Sequence, residues 1–209
     1  MAPIVGVSLY TWTSIIGVVL AGISLGNYLG GKIADRWASR NVLALFFALS
    51  ALGSMTILAS LSWVGALQSL DLPIVASVVL IFTAVFLLPA TILGTISPIV
   101  VKLTLNDLSQ TGDIVGKVYA AGALGSIAGT FATGFFLIST FGTRQIVWGV
   151  AGALLLIGLL ISLSGNGRWR YAYLGLFLVF LALSGLAWQQ GWLNSHCLRE
   201  TNYFCIKVR

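Results

Sequence analysis

Continuous apolar runs, each long enough for a membrane-crossing helix of about 20 residues, recur along this chain with only short polar stretches between them. No soluble core absorbs several such runs. The 209 residues are 58% apolar and 8% charged, where a soluble domain has about a quarter charged residues, and the mean hydropathy is +1.02. The runs do not alternate as barrel strands do, and hydrocarbon leaves no partner for an open sheet edge, so the spans are expected to be α-helices. The expected fold class is therefore all-α and polytopic, with the lipid bilayer as first partner. The net charge of +6, from 11 Lys and Arg against 5 Asp and Glu, is scattered between apolar runs and forms no basic stripe. No nucleic-acid partner is expected.

Six spans follow from the pattern. Val5 to Gly30 is the first, followed by a loop KIADRWASR holding Lys32, Arg36 and Arg40. Asn41 to Ala66 is the second. Leu72 to about Val101 is the third; Pro89 and Pro98 each remove a backbone donor, so a kink is expected near Pro89 and an interruption near Pro98. A polar loop from Asn106 to Lys117 precedes span four, Val118 to about Thr140. Span five is Ile146 to Leu163 and span six Tyr171 to Trp188. The division is a transmembrane domain, 1–188, and an extramembrane tail, 189–209. Cations cluster in the stretches 31–40, 102–117 and 164–170, while the opposite loops hold only Arg144, which places the cation-rich side in the cytoplasm. Met1 and the tail then fall outside, against a bias weakened by Arg199, Lys207 and Arg209. The start has no basic region and does not read as a signal peptide; an internal or truncated start is expected. Trp12, Trp63, Trp148, Trp169, Trp188 and Trp192 lie near span ends, where the ring suits the headgroup layer.

The sixteen formal charges can all be placed outside the middle of the spans, whereas ion-coupled carriers commonly hold a carboxylate, His or Lys at depth. Proton or sodium coupling is not expected. Two spans carry small residues at helical spacing, Gly22, Gly26 and Gly30 in the first and Ala121, Gly125 and Gly129 in the fourth. Residues four apart share a face, so both helices are expected to be central, packed closely against neighbours. Static packing and a sliding surface remain open as readings. No catalytic, cofactor-binding or metal-binding residue is expected. TGDIVGKV lacks the spacing and the Ser or Thr of a phosphate loop, and GALGSIAG lacks that of a dinucleotide fingerprint. His196 is the single histidine, with no second one to share a metal. Cys197 and Cys205 both lie in the tail; an external disulfide loop and two unrelated thiols remain alternatives.

Three stretches stand out when read together: GNYLGGKIADRWASR, with Gly31, Asp35, Arg36 and Arg40; LLPATILGTISPIVVKL; and GDIVGKVYAAGALGSIAGTFATGFFLISTFGTR. Together they resemble the membrane portion of fused membrane and spermidine-synthase-like proteins, whose helices resemble part of a major-facilitator transporter. The four named residues of the first are similar to the facilitator loop pattern, with Ala38 where that pattern prefers glycine, and the third resembles the most distinctive block of the family. The tail CLRETNYFCIKV resembles the opening strand of the family's aminopropyltransferase domain through Glu200, Thr201, Tyr203, Ile206 and Val208, although Phe204 stands where the soluble enzymes have Gln.

The resemblance implies a facilitator-like half bundle acting as membrane anchor and scaffold, without the catalytic domain and hence not an enzyme on its own. An aminopropyltransferase-like domain or another membrane subunit is the implied partner. A carrier of a neutral or amphipathic solute, for which a homo-dimer would supply the usual twelve helices from two sets of six, is the second reading. An accessory subunit of a larger membrane complex is the third. The implied location is a bacterial plasma membrane.

Overall fold

The computed structural model describes residues 9–60, 73–105, 110–164, 169–189, 199–200 and 205–206. Helix α1 is Leu9–Trp37, α2 is Arg40–Ser60, α3 is Ile74–Gly94 and α4 is Ile96–Thr104. Helix α5, Thr111–Phe131, continues through a π-helical turn, Ala132–Leu137, into the single turn α6, Ile138–Thr140. Helices α7, Thr143–Leu163, and α8, Trp169–Gln189, complete the bundle. Six helical segments are long and apolar enough to cross a membrane, α3 with α4 and α5 with α6 each counting once. The chain is an all-α polytopic membrane protein.

Helix α1 packs along α3, α3 along α2, α2 along α7 and α7 along α8, while α4 touches α1, α2 and α5. Small residues make the central contacts. Ala44, Ala48 and Ala51 of α2 meet Ala151, Leu155 and Leu159 of α7 in one cluster, with Tyr173 of α8 closing its edge. Val18 of α1 packs with Val78 and Phe82 of α3, and Ala34 with Leu43 and Ile99. Hydroxyls within the spans donate to carbonyls of their own helices, as Ser50 does to Phe46 and Thr91 to Leu87, both at 2.7 Å. Each such bond satisfies a donor that lipid would leave unpaired.

Several boundaries differ from the sequence expectation. KIADRW is helix and not loop, because nothing in it breaks a helix and Ala, Lys and Arg favour one; α1 ends at Trp37, past Gly31, Asp35 and Arg36. Only Ala38 and Ser39 link α1 to α2, and the Ser39 hydroxyl accepts the Val42 N–H at 3.2 Å as an N-cap. Thr111 to Lys117 is likewise the first part of α5. The break expected near Pro98 falls at Thr95. Pro98 has no N–H for the Gly94 carbonyl four residues back, so α3 ends at Gly94 and Pro98 occupies the first turn of α4, where a proline fits. Pro89 lies inside α3.

In the tail, Arg199–Glu200 pairs antiparallel with Cys205–Ile206, Arg199 opposite Ile206 and Glu200 opposite Cys205. Cys197 lies outside the described residues, and with it any bond to Cys205.

Candidate functional site

Two faces of α1 do different work. Gly22, Gly26 and Gly30 are all buried, and a Cβ on any of them would collide with a neighbour. At Gly22 it would meet the Ala90 Cβ at 2.7 Å, and at Gly26 the Thr91 carbonyl. At Gly30 it would lie 2.7 Å from both Cα and O of Thr95 and 2.8 Å from the Pro98 ring. The third glycine thus seats α1 on the break between α3 and α4. Gly94 answers from the other side, where an added Cβ would stand 2.7 Å from the Ile23 carbonyl. Backbone meets backbone along this seam, the close approach that small residues permit in lipid.

One residue further round α1, Asn27, Gly31 and Asp35 recur every fourth residue and share a second face. That face lines a cleft of about 420 Å³. Ser97, Pro98, Val101, Lys102 and Leu105 of the α4 segment form the facing wall, and Val115 and Tyr119 of α5 form the third side. The Lys102 Nζ stands 3.5 Å from the Asp35 Oδ1, with the side chains 48% and 76% exposed. The pair ties the ends of α1 and α4 together at the cleft rim. Lys117 and Asp113, four residues apart on α5, form an ion pair at 2.6 Å. Lys32 lies over the Tyr28 ring at 4.3 Å, and Arg40 donates to the Ser164 carbonyl at 3.1 Å. So the four residues of the facilitator-like pattern separate: Gly31 and Asp35 line the cleft, Arg36 is exposed on α1, and Arg40 opens α2 and reaches the end of α7.

The second stripe is placed differently. Ala121, Gly125 and Gly129 are exposed, and a Cβ on Gly125 or Gly129 would meet nothing within 4 Å. No residue of α5 or of the π turn is buried, and its main tertiary contact among the described helices is with α4. The expectation that span four is central is corrected. Spacing shows which residues share a face, and it does not show whether another part of the chain covers that face.

Sequence reasoning missed the Asp35–Lys102 pair and the wall formed by Val115 and Tyr119. The usable signal for the pair was an acid and a base at the cation-rich ends of spans one and three, with a proline break to bring α4 back beside α1. The π turn carried no signal.

A second, more apolar cleft of about 360 Å³ lies between α7 and α8, lined by Phe141, Gln145, Trp148, Gly149, Gly152, Phe180 and Ser184. Trp148 and Phe180 pack with centroids 5.4 Å apart, which their near neighbour Gly152 allows, since a Cβ there would reach the Phe180 ring at 3.1 Å.

No protein-family model, curated protein or solved structure matches this chain. The resemblance to spermidine-synthase-fused membrane proteins rests on the residues quoted above.

Proposed function

We propose that this chain is a membrane anchor and scaffold of the spermidine-synthase-fused type, which holds an aminopropyltransferase-like domain or another membrane subunit and performs no catalysis itself. The observation that carries this reading is α5, a whole span without a buried residue that nevertheless presents a smooth face of small residues. Such a face suits close approach by a second transmembrane helix better than it suits lipid tails, which gain nothing from its smoothness. The cation-rich ends of α1, α4 and α5 then face the cytoplasm of a bacterial cell, and the paired strands 199–200 and 205–206 lie outside. The test is aminopropyl transfer from decarboxylated S-adenosylmethionine to putrescine by the purified chain. None is expected, and measurable transfer would overturn the reading.

A second reading, a facilitator-like carrier of a neutral or amphipathic solute, is favoured by the Asp35–Lys102 pair beside an open cleft. A pair that joins two helix ends biases the conformation in which they are close. In reconstituted vesicles the carrier reading expects uptake that Asp35→Asn abolishes; no uptake of polyamines or other small solutes counts against it.

A further inference from the structure

The π-helical turn Ala132–Leu137 lies between the length of α5 that lines the cleft and the single turn α6. Such turns hold one residue more than the α-helix they interrupt, so the lengths on either side keep the alignment of a continuous helix one residue shorter. None of its residues is buried, so burial does not hold the turn in place. Local hydroxyls attend it instead. Ser139 Oγ donates to the Phe135 and Phe136 carbonyls at 3.0 Å each, and Thr140 Oγ1 donates to the Phe136 carbonyl at 2.5 Å.

If the turn closed into ordinary α-helix, the two lengths would shift by one residue, a rise of about 1.5 Å and a rotation of about 100°. One side is tied. α6 reaches α7 through Phe141 and Gly142 alone, and α7 is packed along α2. The other side, Thr111–Phe131, has no buried residue to resist rotation. The movement is therefore taken up at the cleft. Counted back from the tied end, each position held by one residue in the π register is held by the next residue in the α register. Gly116 and Ala120 replace Val115 and Tyr119 on the cleft wall.

We propose that Ala132–Leu137 is a register switch: its π form narrows the cleft beside Asp35 and Lys102 with the larger side chains of Val115 and Tyr119, and its α form widens it with Gly116 and Ala120. The two registers are alternatives of one helix, of the kind whose minor member is populated at about 0.1–10%. The inference concerns the chain with no second helix docked on the Ala121, Gly125 and Gly129 face, and it goes beyond the scaffold reading without depending on it.

The test is oxidative cross-linking in membranes, with Cys197 and Cys205 replaced by Ser. Val101→Cys with Val115→Cys reports the π register, and Val101→Cys with Gly116→Cys reports the α register; Gly116 has nothing within 4 Å of an added Cβ. Deleting Thr133 removes the extra residue and leaves a continuous α-helix with Val115 still on the cleft. The expected result is that the Val115 pair links with or without the deletion, while linking of the Gly116 pair falls about tenfold on deletion, the loss of a minor state present at a few per cent. Ser139→Ala with Thr140→Ala, which removes the attending hydroxyls, is expected to speed linking of the Gly116 pair, and it decides the matter should the deletion fail to fold. Equal Gly116 linking with and without Thr133, or linking unchanged by the Ser139 and Thr140 substitutions, would overturn the proposal.

Discussion

Gly22, Gly26 and Gly30 on α1 repeat the same four-residue spacing as Ala121, Gly125 and Gly129 on α5, and their surroundings are opposite. The first stripe is filled by the backbone of Leu87 to Thr95, and the second faces no other described part of the chain. In the first, closeness is already used inside the fold, so a side chain there forces two helices apart. In the second, the smooth face has open space in front of it. Two stripes of the same spacing thus differ in use: one is packed inside the fold, and the other is, under the scaffold reading, the face offered to a partner.

The largest expected effect comes from breaking the filled seam from its far side. Gly94→Leu drives a side chain into the Ile23 carbonyl and the Gly26 Cα, and overpacking against backbone that cannot yield is expected to cost about 3 kcal/mol or more; thermal unfolding in detergent checks it. Gly158→Leu is milder, because an added Cβ would lie 3.2 Å from the Ala44 carbonyl and from the Phe47 Cβ and part of the crowding falls on a side chain. A loss of about 1–3 kcal/mol is expected on the same assay. Ser162→Ala runs the other way. Its hydroxyl is buried without a hydrogen-bond partner among the described residues, so removing it is expected to raise stability by up to about 1 kcal/mol. Smallest of these is Asp35→Asn, which breaks a pair exposed to solvent on both sides; stability is expected to change by less than about 1 kcal/mol. Its larger consequence, under the carrier reading, is on uptake.

The number of spans and the fold class were legible because a run of about 20 apolar residues has few other uses. Helix ends were not. Charged KIADRW reads as a loop when hydropathy sets the boundary, but a helix needs good helix formers and not lipid to continue, so α1 reaches Trp37. The proline break was legible to within one turn: the sequence points to Pro98, and the missing bond is felt four residues earlier, at Gly94. The two stripes were legible as faces but not as buried or open, since that depends on the path of α3 and α4. The cleft was the least visible feature, because Asp35, Lys102 and Tyr119 are distant in sequence and meet only through that path.

The most direct measurement is a side-by-side comparison of Gly26→Leu and Gly125→Leu, purified in the same detergent and followed through thermal unfolding. Gly26 has the Thr91 carbonyl where its side chain would go, and Gly125 has open space. The account predicts that Gly26→Leu unfolds far below the unsubstituted chain or fails to fold, while Gly125→Leu stays within about 0.5 kcal/mol of it, as a substitution without contacts should. Equal destabilisation by the two substitutions would contradict it, because the second stripe would then be as fully packed within the fold as the first.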